Sequence, residues 1–281
     1  MKHSISKIAG LAVVVVMALG ITQAMAAGGA YPKNKPRHVD WSFAGPFGTW
    51  DYGQLQRGFK VYKEVCASCH SLELVAFRNL EEIGFSEDQV KAIAAEYEVV
   101  DGPNEDGEMF ERPAVPADRF PGPYANNKEA AALNNGAVPP DFSLLAKARA
   151  VERGFPTFVF DIFTLYAENG PDYLYSLLTG YKEPPEGVEI AEGTHYNPYF
   201  IAGEALAMGQ PLYGDDVEYD DGTEATIDQQ AKDVSAFMMW AAEPYLVERK
   251  AMGFKVIIFL IIFSILLYLT KKSVFRQLKQ A

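Results

Sequence analysis

VCASCHSL, residues 65–72, contains the chain's two cysteines, Cys66 and Cys69, with His70 directly after the second. On a helix, positions i, i+3 and i+4 share one face, so two thiols and one imidazole can reach the same object. A cysteine pair at this spacing is used in thiol–disulfide exchange, in structural metal sites and in covalent haem attachment. Which of these applies decides both the fold and the function of the chain.

The order C-x-x-C-H favours covalent haem, with the cysteines as thioether anchors and the histidine as proximal iron ligand. A thioredoxin-like pair needs a βαβ context and a helix that begins at the first cysteine, whereas here the helical pattern precedes it. Structural zinc needs about four protein ligands, and beyond the N-terminal segment only His38 and His195 are evident further donors. A plain disulfide would close a loop too short to stabilise much. We therefore predict one covalently bound haem c.

The N-terminal residues 1–26 have the pattern of a secretory signal peptide. Lys2 and Lys7 precede an apolar run over residues 8–21, and a small-residue site, AMA, ends at Ala26. This run is too short for a membrane-spanning helix. We expect cleavage after Ala26.

The C-terminal region predicts a membrane anchor. Residues 251–270 are predominantly apolar over about the width of a bilayer. The basic tail that follows, residues 271–281, belongs in the cytoplasm by the positive-inside rule. A buried core helix is the alternative, but such a helix rarely ends in a run of cations. The prediction is a single-pass protein of the inner membrane with residues 27–250 in the periplasm.

The predicted periplasmic domain, residues 27–250, is strongly acidic. It contains 18 Lys and Arg against 37 Asp and Glu, a net charge of −19. Such a surface repels nucleic acid and anionic lipid and attracts basic partners. The acid is concentrated in residues 81–111, with eleven Asp or Glu and one Lys, and in residues 215–224, with six.

Periodic apolar residues predict a mainly α domain with long loops. The predicted helices cover residues 54–65, the stretch after a Ser86–Gln89 capping box, residues 171–180, and the stretch from a Thr226–Gln229 capping box to near Pro244. Pro- and Gly-rich loops fill residues 101–123, 183–198 and 209–223. Few helices between long loops indicate a core that a large ligand completes.

A sixth iron ligand would make the haem an electron carrier rather than an open catalytic site. The candidates are Met109, Met208, Met238, Met239, Met252, His38 and His195. Met208 is favoured because it lies between an apolar stretch and a Gly-Pro loop that could fold over the free haem face. His195, or no sixth ligand, remains the alternative at this point. A thioether ligand stabilises ferrous iron and raises the reduction potential.

Seven motifs occur in the order typical of the cytochrome c1 family, and the sequence resembles a bacterial member. They are CASCHSL (66–72), NNGAVPPDFSLL (134–145), YLYSLLTGY (173–181), YNPYF (196–200), ALAMGQPLY (205–213), EYDDGT (218–223) and AKDVSAFMMWAAEP (231–244). The resemblance implies a class I cytochrome c-like haem domain with one C-terminal transmembrane helix. It also implies a subunit of a dimeric cytochrome bc1 complex, with cytochrome b and a Rieske iron–sulfur protein as neighbours.

Matched motif by motif, the resemblance implies which residues hold the haem. Cys66 and Cys69 would carry the thioether bonds, and His70 and Met208 would be the proximal and distal ligands. Arg149 would meet a haem propionate, a role that suits a guanidinium. The other implied haem-packing residues are Asn134, Pro139, Pro140, Tyr173, Leu177, Leu178, Phe200 and Leu206. His38 and His195 then become ordinary surface or loop histidines.

The implied function is electron relay: the haem accepts an electron from the Rieske protein and passes it to a soluble cytochrome c. From the charge distribution we hypothesise that at least one of the two acidic clusters assists the docking of that basic cytochrome; the alternative is that residues 81–111 are simply a solvated loop. The resemblance implies that no bond is broken at this chain, and that quinol chemistry occurs on neighbouring chains, since nothing in this sequence resembles a quinone pocket. The alternatives are a free-standing membrane-anchored mono-haem shuttle, a haem peroxidase with an open sixth site, and a thiol oxidoreductase.

Overall fold

Helices formed by the periodic segments surround one aromatic and aliphatic core. The structure, a computed structural model, describes residues 32–278 except 152, 165 and 167. The predicted signal peptide and the last three residues of the tail lie outside the described residues. The elements in chain order are α1 Tyr52–Val61, a π-helical turn Tyr62–Cys66, a 3₁₀ helix Phe77–Ile83, α2 Glu87–Ala94, β1 Glu98–Asp101, β2 Phe110–Pro113, α3 Asn127–Leu133, α4 Leu145–Ala148, α5 Thr157–Thr164, α6 Asn169–Leu178, β3 His195–Tyr196, β4 Ala205–Leu206, α7 Ile227–Ala242 and α8 Leu246–Leu278.

Helix α1 leads directly into the cysteines, which confirms the helix predicted over residues 54–65. Asp51 caps its N-terminus, where the carboxylate accepts a hydrogen bond from the Gln54 N–H at 3.1 Å. Leu55 and Phe59 are buried on its inner face. The helix then widens into the π-helical turn that ends at Cys66. Sequence periodicity does not show this widening.

The capping boxes form to different extents. At α2, Ser86 and Gln89 exchange both hydrogen bonds, at 3.3 and 2.8 Å, as predicted. At α7, Thr226 accepts from the Gln229 N–H at 3.2 Å, but the Gln229 side chain donates to Asp233 instead of returning to the cap. Only half of the second box is therefore present.

Helix α6 begins two residues before the predicted start at Pro171, since Asn169 and Gly170 are already helical. Thr179 is its C-cap, one residue before the predicted stop at Gly180. Its buried face packs on α7, as does the short helix α4. Helices α3, α4 and α5 lie in stretches for which no helix was predicted. All three are one or two turns long, too short for a clear periodic signal.

Strands form only two short antiparallel ribbons among the described residues. Strands β1 and β2 pair with Glu98 opposite Pro113 and Asp101 opposite Phe110. Strands β3 and β4 pair through His195–Leu206 and Tyr196–Ala205. The ribbons lie within or beside the predicted loops, and they are too small to make a sheet core. The mainly α prediction is confirmed.

Helices α1 and α7 cross at Gly58, and this contact is the centre of the core. A Cβ at Gly58 would overlap the backbone carbonyl of Asp233, so only glycine lets the two backbones approach so closely. Beside the crossing, Phe59 and Tyr62 lie 5.7 and 5.8 Å from the Phe237 ring. Arg57 pairs with the fully buried Asp233 at 2.9 Å.

Helix α8 begins inside the domain core and then leaves it. Leu246 is fully buried, and the buried Lys250 ammonium donates to the Phe43 carbonyl at 2.9 Å and pairs with Glu168 at 3.2 Å. The segment Leu246–Arg276 is long and apolar enough to cross a membrane, and no residue of its most apolar 18-residue stretch is buried. The helix starts five residues before the predicted anchor because core packing extends it inwards.

The crossing yields a stability prediction. We expect Gly58→Ala to lower the free energy of unfolding by about 1–3 kcal/mol, since the added methyl forces the backbones of α1 and α7 apart. Gly53→Ala is the matched control, because Gly53 lies in the exposed first turn of the same helix. Its added Cβ meets no atom closer than 3.4 Å. There we expect no loss, or a gain of up to about 1 kcal/mol.

Both variants would be compared by thermal unfolding followed by circular dichroism, on the full-length holoprotein in detergent. Equal melting temperatures for Gly58→Ala and wild type would show that the crossing is not tightly packed.

Candidate haem site

Cys66, Cys69, His70 and Met208 all line one cavity of about 130 Å³. Cys66 ends the π-helical turn that continues α1, Cys69 lies in the turn that follows, and Met208 comes from the segment after β4. The rest of the lining is apolar and consists of Val65, Phe142, Leu145, Leu174, Leu177, Leu178, Pro211, Val234 and Met238. Residues that are far apart in sequence thus place sulfur and nitrogen donors on one apolar surface.

His70 is held in one tautomer. Its Nδ1 lies 2.8 Å from the Pro140 carbonyl, which can only accept, so Nδ1 carries the proton. Nε2 is then the unprotonated nitrogen and is free to bind a metal. Burial lowers the pKa of His70 and favours the neutral ring, against opposing effects of the Pro140 carbonyl and Asp141. The ring also stacks on Phe142, with centroids 4.3 Å apart.

Asp141 organises the loop behind His70. Its carboxylate accepts hydrogen bonds from the Ser71 hydroxyl and from the Glu73 and Ser143 N–H groups, each at 2.8 Å. Burial acts to raise the pKa of Asp141, but these hydrogen bonds outweigh it and bring the pKa below its ordinary value. The carboxylate therefore stays ionised and joins the C-x-x-C-H loop to the P-P-D segment. Sequence reasoning did not assign Asp141 any role.

The Cys66 and Cys69 sulfurs form no disulfide with each other. Burial raises the pKa of the Cys66 thiol to about 12. A thiol–disulfide exchange site needs the opposite, a lowered pKa and an accessible thiolate. No group of three or more His, Cys, Asp or Glu is placed to hold a metal ion within the described part of the chain. Neither a redox pair nor a structural zinc site fits these surroundings.

Met208 follows the β3–β4 ribbon by two residues, so the ribbon carries it to the cavity. The Tyr181 hydroxyl donates to the Met208 carbonyl at 3.0 Å. Met238 is a second methionine at the cavity, but it lies in the middle of α7, where it is almost fully buried in the core.

The implied haem-packing residues divide into two groups. Leu177 and Leu178 line the cavity, and Pro140 reaches the site through its carbonyl. The residues that the described cavity lining does not include are Asn134, Pro139, Arg149, Tyr173, Phe200 and Leu206. Their roles at the haem stay predictions.

The structure gives several residues of the second group other contacts. The Asn134 amide donates to the Tyr124 hydroxyl at 2.9 Å and to the Ala130 carbonyl at 2.7 Å. Tyr173 is buried on α6, and its hydroxyl accepts from the Ile201 N–H at 3.3 Å. Burial raises the pKa of Tyr173, while that N–H and the positive charge of Arg149 act to lower it.

Several lining residues were missed by sequence reasoning, although a helical signal could have identified some of them. Leu174 lies one turn before Leu177 and Leu178 on α6, and Val234 lies four residues before Met238, which the sequence had offered as a candidate iron ligand, on α7. Pro211 carries no such signal.

A larger cavity of about 580 Å³ lies elsewhere, between residues 32–38 and the region around α5. It is lined by Lys33, Lys35, His38, Arg153 and Asp172, among others. Cysteine and methionine are absent from its described lining, so it offers neither the covalent anchors nor the thioether ligand of a c-type haem.

The donor set of the smaller cavity fits a c-type haem. Two thiols on one helical turn, an imidazole with a free Nε2 and a thioether share an apolar pocket. Thioether and imidazole are the ligands that hold iron in c-type cytochromes.

Comparisons with known proteins agree with this chemistry. Residues 41–278 match the model of the Cytochrome C1 family. The "Cytochrome c1" of Blastochloris viridis is 46% identical over 277 residues, which cover 97% of this chain and 96% of the relative. The "Cytochrome b-c1 complex catalytic subunit, mitochondrial" of Candida albicans is 46% identical, covering 80% of this chain and 72% of the relative.

A third relative is much longer than this chain. The "Cytochrome b/c1" of Bradyrhizobium diazoefficiens is 56% identical over 245 residues, 86% of this chain. The match covers 36% of that protein, so this chain spans about a third of the relative's length. The resemblance read from the motifs is confirmed, and the chain belongs to the cytochrome c1 family.

Proposed function

We propose that this chain is the haem-bearing electron-transfer subunit of a cytochrome bc1 complex, a quinol–cytochrome c oxidoreductase. The observation that carries the proposal is the meeting of Cys66, Cys69, His70 and Met208 in one apolar cavity. The name of the Candida relative, a cytochrome b-c1 complex catalytic subunit, supports the assignment to such a complex.

Each residue has a defined task in this proposal. Cys66 and Cys69 would form the thioether bonds, and His70 Nε2 and the Met208 thioether would bind the iron. A bound haem c would supply reversible one-electron chemistry. With both protein ligands in place, no coordination site would be left for a small substrate, which suits a relay. The Met208 thioether would favour the ferrous state and a high potential.

The proposed partners follow from the family and from the surface charge. The chain would receive electrons from a Rieske iron–sulfur protein beside cytochrome b, and deliver them to a basic soluble cytochrome c. The complex would be dimeric. Helix α8 would cross the inner membrane once, with the haem domain in the periplasm and the basic tail in the cytoplasm.

Ion pairs neutralise part of one acidic cluster, residues 215–224. In residues 215–224, Asp220 and Asp221 are already paired with Lys60 and Arg57, at 3.1 and 2.7 Å. Residues 102–109 instead form the exposed tip of the β1–β2 hairpin, which we call the acidic tip. Its acids, Glu105, Asp106 and Glu108, take part in none of the ion pairs among the described residues. We therefore propose that the acidic tip attracts the soluble cytochrome c.

The ligand assignment predicts a change in reduction potential. We expect Met208→Leu to lower the potential by about 0.1 V or more, within the roughly 0.8 V range that axial ligands span in haem proteins. Met238→Leu is the matched control, because it removes the other cavity-lining thioether. Reduced-minus-oxidised spectra with redox titration of the full-length protein measure both variants. A drop in Met238→Leu without one in Met208→Leu would make Met238 the ligand.

The acidic tip predicts a salt-dependent change in association rate. Replacing Glu105, Asp106 and Glu108 by their amides should slow association with a basic cytochrome c at low salt by at least about threefold, since steering contributes about 10–10³-fold in total. The same replacement at Glu186, Glu189 and Glu192, three exposed acids of another loop, is the control. Stopped-flow kinetics at two ionic strengths would measure the rates.

The difference should shrink at high salt as screening increases. Equal slowing in the two triple variants would mean that net charge, rather than the acidic tip, attracts the partner.

Copurification tests membership of the complex. A tagged chain expressed in its native membrane should bring with it a cytochrome b and an iron–sulfur subunit in fixed proportion. Isolation of the chain alone, with its haem, would instead indicate a free-standing membrane-anchored shuttle.

A further inference from the structure

Tyr181 connects the wall of the haem cavity to the segment that carries Met208. It lies three residues beyond Leu178, the last residue of α6. Its hydroxyl donates to the Met208 carbonyl at 3.0 Å, a contact that spans 27 positions of sequence. The contact is made to the backbone of the proposed iron ligand itself.

The Tyr181 hydroxyl is placed on a rigid support. Leu174, Leu177 and Leu178 of α6 line the cavity. The fully buried Asn197 holds the end of α6, since its amide donates to the Leu177 carbonyl at 2.8 Å. Gly180 lets this contact form, because a Cβ there would meet both Asn197 and the Tyr199 ring. The end of α6 is thereby packed against the chain around β3.

The β3–β4 ribbon by itself holds the Met208 backbone only weakly. Strands β3 and β4 contribute two residues each, and Met208 lies two residues past the end of β4. A two-stranded ribbon of this size has little stability alone. The hydrogen bond from Tyr181 is therefore a substantial part of what fixes the Met208 backbone.

The Tyr181 hydroxyl is a donor throughout the physiological pH range, because a tyrosine phenol loses its proton only at about pH 10. The Met208 carbonyl is an acceptor at every pH. The contact is thus independent of pH in the physiological range.

We infer that Tyr181 is a positioning residue for the axial methionine: its hydroxyl holds the Met208 backbone so that the thioether stays on the iron. This inference rests on the proposed function, in which Met208 is the distal ligand. Losing the hydroxyl leaves the aromatic packing in place but increases the fraction of molecules with the methionine detached.

Binding of an added ligand measures that fraction. Imidazole binds ferric haem only where the methionine is detached, so its apparent affinity scales with the detached fraction. Loss of one hydrogen bond should change this fraction by about two- to tenfold. We therefore expect Tyr181→Phe to bind imidazole about two- to tenfold more tightly than wild type.

The measurement uses the full-length ferric holoprotein in detergent, titrated with imidazole and normalised to its haem content. Tyr213→Phe is the matched control, because Tyr213 lies five residues after Met208 with its side chain 68% exposed. Its imidazole affinity should equal that of wild type. Wild-type affinity in Tyr181→Phe would overturn the inference, and so would equal tightening in the two Phe variants.

Met208→Leu separates this inference from the proposed function. If Met208 is the distal ligand, Met208→Leu binds imidazole more tightly than either tyrosine variant. If Met208→Leu binds imidazole with wild-type affinity, the ligand assignment is wrong, and the positioning role of Tyr181 is then wrong as well. Tight binding by Met208→Leu combined with wild-type binding by Tyr181→Phe would overturn the positioning role alone.

Discussion

The close approach of α1 and α7 at Gly58 is the constraint on which the rest of the domain depends. Helix α1 ends in the turn that carries Cys66, and α7 supplies Val234 and Met238 to the same cavity. The distance between these helix axes therefore sets the distance between two walls of the haem site. A side chain as small as a methyl group at the crossing would move both walls, because the obstacle it meets is the Asp233 backbone. Packing at one glycine is thus coupled to the geometry of a cofactor site.

The local chemistry of the site was the part most open to prediction from sequence. The C-x-x-C-H motif, the helix leading into it and the Ser86 cap depend on contacts within a few residues, so sequence spacing reports them directly. The family resemblance then pointed to Met208, which residue chemistry had favoured without excluding His195. The structure brings Met208 to the same cavity as the cysteines.

Features that depend on long-range contacts were not predictable. The roles of Asp141 and Tyr181 arise from hydrogen bonds to loops that only the folded chain brings near. The early start of α8 has the same origin, since Lys250 is placed by Phe43, 207 positions away. The density of acidic residues in the sequence was likewise an incomplete guide to the docking surface, because two acids in residues 215–224 form ion pairs with α1. Composition counts charges, whereas only the fold shows which of them remain free.

The buried start of α8 has a mechanical consequence. A helix joined to a domain by a loose linker would let the domain swivel over the membrane. Here Leu246 and Lys250 are embedded in the core before the apolar segment begins, so the domain and the helix are joined without a loose linker. Under the proposed function, this joint would hold the haem at one height and one orientation above the membrane. The movement needed to carry electrons to and from the haem would then have to come from the proposed partners.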